Sequence, residues 1–158
     1  MAGHAQAEKT PLTLPEATEH LLEESRMVLP GIQALFGFQL IAVFNPTFAE
    51  KLGIVQQRLH LVSIGLVVIA IALIMTPAAY HRQISPRAVS VQLIAVSTRL
   101  LLLSMAPLAL AICLDFYLVA WLIVAHAAAA ALAATLFVGF LCLWFLFPRV
   151  VRMKRLMG

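Results

Sequence analysis

The chain has 158 residues, of which 63% are hydrophobic and only 11% charged, and it carries a formal net charge of +4. A water-soluble domain runs near half apolar and a quarter charged, and so small a chain has no interior able to hide this excess. A soluble enzyme is excluded on that ground. A nucleic-acid module is excluded because the basic run Arg149, Arg152, Lys154 and Arg155 is short and has no aromatic residues interleaved.

In chain order, residues 1–12 (MAGHAQAEKTPL) read as a flexible polar leader. Glu8, Glu16, Glu19, Glu23 and Glu24 crowd the N-terminal stretch and no apolar h-region occurs there, so no cleavable signal is expected. Thr13 suits a helix cap and Pro15 a first turn. Leu21, Leu22 and Met27 recur between acids, so 13–27 is expected to be an amphipathic helix lying at the membrane interface. Pro30 and Gly31 are expected to bend the chain into a first span over 28–44, ended by Asn45-Pro46.

Residues 47–58 (TFAEKLGIVQQR) form a polar loop with room for a short interfacial helix. A second span over 59–78 follows, with Pro77 at its end. Tyr80, His81, Arg82 and Arg87 then make the next connection, with Ser85-Pro86 as a turn. The third span is expected over 93–114, closed by the isolated charge of Asp115. Pro107 should kink it by freeing the carbonyl of Leu103, with Ser104 available to help satisfy the gap.

The fourth span is expected over 119–147, joined to the third by a turn over 115–117. On one helix Trp121 and Trp144 would stand about 34 Å apart, the separation of two interfacial belts, with Tyr117 strengthening the first. Pro148 then stops the span and 148–158 is a basic cytoplasmic tail. The fold class is therefore all-α, an integral membrane protein with four transmembrane helices and an N-terminal interfacial helix. Orientation follows from Lys and Arg: Lys9, Arg26, Arg82, Arg87, Arg149, Arg152, Lys154 and Arg155 fall on one side, Lys51 and Arg58 on the other. Both termini are expected in the cytoplasm.

Few polar residues lie within the spans. Arg99 is costly at its depth and should either pair with Glu23 or Glu24 or snorkel to the headgroups. His126 lies in the run AHAAAAALAA and reads as a hydrogen-bonded packing residue, with a proton or ligand role as the alternative. Neither His60 nor His81 matches it in depth for a bis-histidine haem. Gln33 and Gln39 point to different faces and suit interhelical hydrogen bonds. Ala127, Ala130, Ala131 and Ala134 give a thin face suited to close helix packing. Cys113 and Cys142 sit too far apart in depth for a disulfide.

No catalytic set, metal site or cofactor is predicted, although a lipid or pigment between helices is compatible with the pattern. With Asp115 assigned to a turn, no Asp or Glu lies between the ends of any span. That weighs against cation-coupled antiport, which relies on an intramembrane carboxylate.

The segments LLEESRMVLPGIQALFGFQLIAVF (21–44), IMTPAAYHR (74–82) and STRLLL (97–102) resemble a family of small bacterial membrane proteins, the domain-of-unknown-function family numbered 6328. The resemblance covers about 21–147. It implies four helices in a bacterial cytoplasmic membrane and no assigned activity, although some members carry an automatic sodium:proton antiporter label. A family patch would fall on Glu24, Arg26, Gln33, His81, Arg82 and Arg99, most of them at the cytoplasmic face.

The expected function is that of an accessory or scaffold subunit without catalysis of its own, packed against a larger membrane complex or against its own copies. The alternative is a homo-oligomeric ion channel or transporter with Arg99, Gln33 and His126 near the path. The partners expected are the lipid bilayer and other membrane-protein chains, not nucleic acid.

Overall fold

A computed structural model describes residues 13–84 and 91–157. The leader 1–12, the Ser85-Pro86 turn and Arg87 lie outside the described residues, as does the side chain of Arg155. The described chain is helical almost throughout: α1 (Leu14–Phe44), α2 (Pro46–Lys51), α3 (Ile54–Ile84), α4 (Val91–Ile123), α5 (His126–Leu141), a π-helical segment (Cys142–Leu146) and α6 (Phe147–Met157). Four helical stretches are long and apolar enough to cross a membrane: Leu14–Phe44, Ile54–Gln83, Val91–Ile123 and His126–Lys154. They run alternately up and down. The end carrying α2 and the α4–α5 break is called here the loop end, and the opposite one the tail end.

Helix α1 starts on a capping box, in which the Glu16 carboxylate accepts from the backbone N–H and the hydroxyl of Thr13, each at 2.8 Å. It then runs unbroken through Pro30 and Gly31. The expected interfacial helix and first span are thus one helix, about 46 Å long, against roughly 30 Å of hydrocarbon. Proline removes only one backbone bond. Where no water competes for the freed groups, a helix tolerates that loss better than it tolerates ending. The same holds for α3, which passes through a buried Pro77.

The third and fourth spans depart furthest from expectation. Helix α4 does not stop at Leu114 but continues through Asp115, Tyr117 and Trp121 to Ile123. Nothing in 115–117 breaks a helix, since no Gly, Pro or Asn occurs there, and the charge of Asp115 finds partners inside the bundle. The break comes at Val124 and Ala125, where the imidazole of His126 stacks on Trp121 with ring centroids 3.5 Å apart and planes 5° from parallel. Trp121 and Trp144 therefore belong to different helical stretches and are not two belts of one helix.

Pro148 does not end the last span either. The π-helical turn before it lets the Phe147 N–H reach back five residues to the Cys142 carbonyl. The chain then continues as α6, with Pro148 in its first turn, where a missing N–H is easily absorbed. Near Pro107, Ser104 donates to the Leu101 carbonyl at 2.7 Å rather than to that of Leu103.

Contact between α3 and α4 dominates the packing, α1 lies against both, and α5 packs on α4. The core is built from Ile32, Val67, Ile74 and Ala111. Polar side chains are buried beside this apolar core, and the exterior is apolar. Gln39, His60, Ser63, Ser97 and Ser104 are buried, while Phe38 is 71% exposed, Phe44 85% and Ile123 74%. Such an apolar exterior would aggregate in water and is the pattern expected where hydrocarbon is the solvent. Within α5, Ala129 is fully buried against the rest of the chain, whereas Ala127, Ala130, Ala131 and Ala134 are all exposed. The thin face expected to pack is turned outward.

Candidate functional site

Three helices converge near the loop end on a group of polar side chains. Gln39 comes from α1, His60 and Ser63 from one face of α3, and Asp115 from α4. Spacing of three residues puts His60 and Ser63 on the same side of their helix. Each residue stands roughly 8–14 Å in from the end of its helix, at about 1.5 Å per residue. Gln39 is 4% exposed, His60 7% and Ser63 0%, and the Asp115 side chain retains 20%.

The hydrogen bonds define the cluster. Gln39 Nε2 donates to Asp115 Oδ2 at 2.7 Å and to Ser63 Oγ at 2.9 Å. Ser63 passes the chain on, donating to the Ala111 carbonyl at 3.0 Å. His60 Nε2 lies 2.9 Å from the Gln39 backbone carbonyl. A carbonyl can only accept, so Nε2 carries a proton and donates it. The other ring nitrogen, Nδ1, faces Asp115 Oδ1 at 3.6 Å. In neutral His60 that nitrogen is a lone pair, and two acceptors then confront each other.

Two acceptor oxygens at this point are buried without a hydrogen-bond donor, Gln39 Oε1 and Asp115 Oδ1. Unpaired acceptors in a dry interior are unfavourable unless something positive reaches them. The arrangement suits a proton shared between Asp115 and His60, or a small monovalent cation held by the two oxygens. Among the described residues no group of three His, Cys, Asp or Glu side chains is placed to hold a metal ion.

Access is from the loop end. A cleft of about 400 Å³ reaches Gln39, His60 and Asp115 between α1, α2 and α4, with Phe38, Leu118 and Leu122 among its apolar walls and Lys51 on its rim. Helix α2 stands over the site. Asn45 caps it by accepting from the Thr47 N–H at 3.0 Å, and Phe48 sets its ring 5.2 Å from that of His60. In the direction of the tail end, the Ile32, Val67, Ile74 and Ala111 core closes the way.

Of the residues expected to form a patch, Arg26, His81 and Arg82 come together, and Glu24, Gln33 and Arg99 stand apart from them. Arg26, His81 and Arg82 border one tail-end cavity, while Glu24 and Trp144 border a neighbouring one. Gln33 and Arg99 are exposed and line neither. Among the described residues no carboxylate lies within ion-pair distance of Arg99, so the pairing with Glu23 or Glu24 does not form. The His126 side chain, exposed at the start of α5, makes no hydrogen bond among the described residues and stacks on Trp121, which Tyr117 also approaches at 5.6 Å. Trp144 packs beside Phe140 at 4.6 Å. Sequence reasoning weighs His60 only as a haem partner, places Asp115 in a turn and passes over Ser63. The signal was present in the isolation of Asp115, read there as the mark of a turn.

No curated protein and no solved structure matches the chain. A family described as of unknown function, DUF6328, matches residues 14–148. With that span covering most of its length, the chain belongs to the DUF6328 family.

Proposed function

We propose that this protein exchanges a proton for a monovalent cation at Asp115, and that it does so as an integral protein of the bacterial cytoplasmic membrane with both termini in the cytoplasm. The observation that carries the reading is the confrontation of His60 Nδ1 with Asp115 Oδ1, beside the unpartnered Gln39 Oε1. Intramembrane carboxylates of this kind mark proton and ion pathways. The objection raised from the sequence, that no span holds a carboxylate, falls with the continuation of α4 through Asp115.

In this scheme the proton held by Asp115 and His60 leaves to water in the loop-end cleft as the cation takes Asp115 Oδ1 and Gln39 Oε1. Charge balances, one positive charge for another. Transfer to the other side requires a second conformation, in which the Ile32–Val67–Ile74–Ala111 core parts and the loop-end cleft closes. The test is proton flux in proteoliposomes that hold a pH-sensitive dye, driven by a sodium or potassium gradient. The wild-type chain should acidify or alkalinise the lumen according to the gradient, and Asp115→Asn should not. Equal traces from empty and loaded liposomes would end the proposal.

A second reading keeps the accessory or scaffold role. It is favoured by the outward-facing Ala127, Ala130, Ala131 and Ala134, which invite another helix to approach closely. Gentle extraction with native mass measurement separates the two. Stoichiometric foreign subunits support an accessory chain, copies of the chain alone are compatible with both a scaffold and an exchanger, and the flux assay then decides between them.

A further inference from the structure

The tail end contains a second cavity, of about 260 Å³, between α1, α3 and α4. Its walls are apolar, with Leu29, Ile74 and Leu101 running down into the bundle. Its rim is basic: Arg26 comes from α1, and His81 and Arg82 from α3. No carboxylate lines it. His81 Nδ1 is buried here without a hydrogen-bond partner, an arrangement that proteins rarely leave unfilled. On its other side Arg26 borders a groove that includes Glu19 and Glu23, yet no ion pair ties it to either among the described residues.

Cationic and apolar surfaces that meet in one recess describe a particular ligand. An inorganic anion would use the rim and leave the walls empty. A neutral lipid or a detergent would use the walls and leave the arginines unanswered. We propose that this cavity binds one anionic phospholipid, its phosphate between Arg26, Arg82 and His81 and an acyl chain along Leu29, Ile74 and Leu101. Guanidinium groups match phosphate oxygens through paired N–H donors, and His81 adds a donor when Nδ1 carries a proton. The headgroup is held from two helices at once, which gives the site a geometry that diffuse surface attraction lacks.

Arg149, Arg152 and Lys154 on α6 are exposed and outside this cavity. They attract anionic lipid without selecting a pose, and so supply the control. The full chain is purified in a neutral detergent and offered an equimolar mixture of phosphatidylglycerol and phosphatidylcholine. Lipid that stays bound is counted by native mass spectrometry. The wild type should retain one phosphatidylglycerol in preference to phosphatidylcholine by about tenfold, as expected for charge-assisted contacts.

Arg26→Gln combined with Arg82→Gln should abolish that preference, while Arg149→Gln combined with Lys154→Gln should leave it within about twofold. Three results overturn the proposal. One is equal retention of the two lipids by the wild type, a measurement that needs no variant to fold. Another is an equal loss in the α6 control, which would make the attraction a surface effect. The third is displacement of the lipid by millimolar inorganic phosphate, which would make the site one for a free anion.

Discussion

Gln39 and Asp115 are joined side chain to side chain at 2.7 Å, although they stand on different helices and far apart in the sequence. The bond ties α1 to α4, and through the second donor of the same amide, to Ser63 on α3. Three helices thus meet on one primary amide. Interhelical hydrogen bonds of this type are worth about 1 kcal/mol in membrane bundles, and more where an ionised group takes part.

Removal of the carboxylate should separate structure from function. Asp115→Asn keeps an oxygen for the Gln39 amide and should change unfolding free energy by no more than about 1 kcal/mol. Its proton exchange in proteoliposomes should fall to the level of empty vesicles. Asp115→Ala leaves the amide proton without an acceptor and should cost about 1–3 kcal/mol in an unfolding titration in mixed micelles.

His60 should matter for the proton and less for the cation. His60→Gln can still donate to the Gln39 backbone carbonyl, but it offers no second titrating nitrogen beside Asp115. Proton exchange should drop by about tenfold or more, the usual scale for loss of a proton-transfer group. Binding of radioactive sodium or rubidium to the purified chain should persist. Loss of both together would show that His60 serves the shape of the site alone.

Ser63→Ala tests the cross-link at its centre. The serine accepts from Gln39 and donates to the Ala111 carbonyl at 3.0 Å. The substitution should destabilise the bundle by about 1–2 kcal/mol, measured in the same micelle titration. It should weaken exchange far less than Asp115→Asn does.

The His126–Trp121 stack holds the α4–α5 turn. Loss of the ring in His126→Ala should cost about 0.5–1.5 kcal/mol, the range for stacked aromatic pairs. Tryptophan emission should change, because the imidazole lies flat against the indole at 3.5 Å. An unaltered spectrum and an unaltered unfolding curve would mean that the stack contributes nothing.

Ala131 is exposed on α5. Ala131→Phe should therefore leave the unfolding curve of an isolated chain within about 0.5 kcal/mol of wild type. If copies or partners pack on this face, the same substitution should dissociate them in native mass measurements.

The four apolar stretches were legible because a run of apolar residues long enough to cross a bilayer announces itself by composition alone. Their boundaries were not. Pro30, Pro77 and Pro148 look like stops, and Asp115 looks like a turn, when each is weighed against its neighbours in the chain. The partners that Asp115 meets inside the bundle are Gln39, by a hydrogen bond, and His60 beside it, and no spacing in the sequence displays that meeting. Moving the turn from 115–117 to 124–125 shifted every residue between them to another helix. It also brings Asp115 inside the bundle, where its carboxylate faces His60 at 3.6 Å. His81 and Arg82 were legible as neighbours, but only the fold adds Arg26 to them across α1 and α3.

The π-helical turn at Cys142–Leu146 acts as a phase adjuster on the last helix. In it the Phe147 N–H bonds five residues back rather than four, which slips the following helix by one residue of register, about 100° of rotation. The compass direction in which Arg149, Arg152 and Lys154 point is thereby decoupled from the direction of the alanine face upstream. Deletion of a single residue within the turn would reset it to ordinary α register. The cationic stripe would then swing round by roughly a quarter-turn while the apolar half of the helix before it stayed where it was.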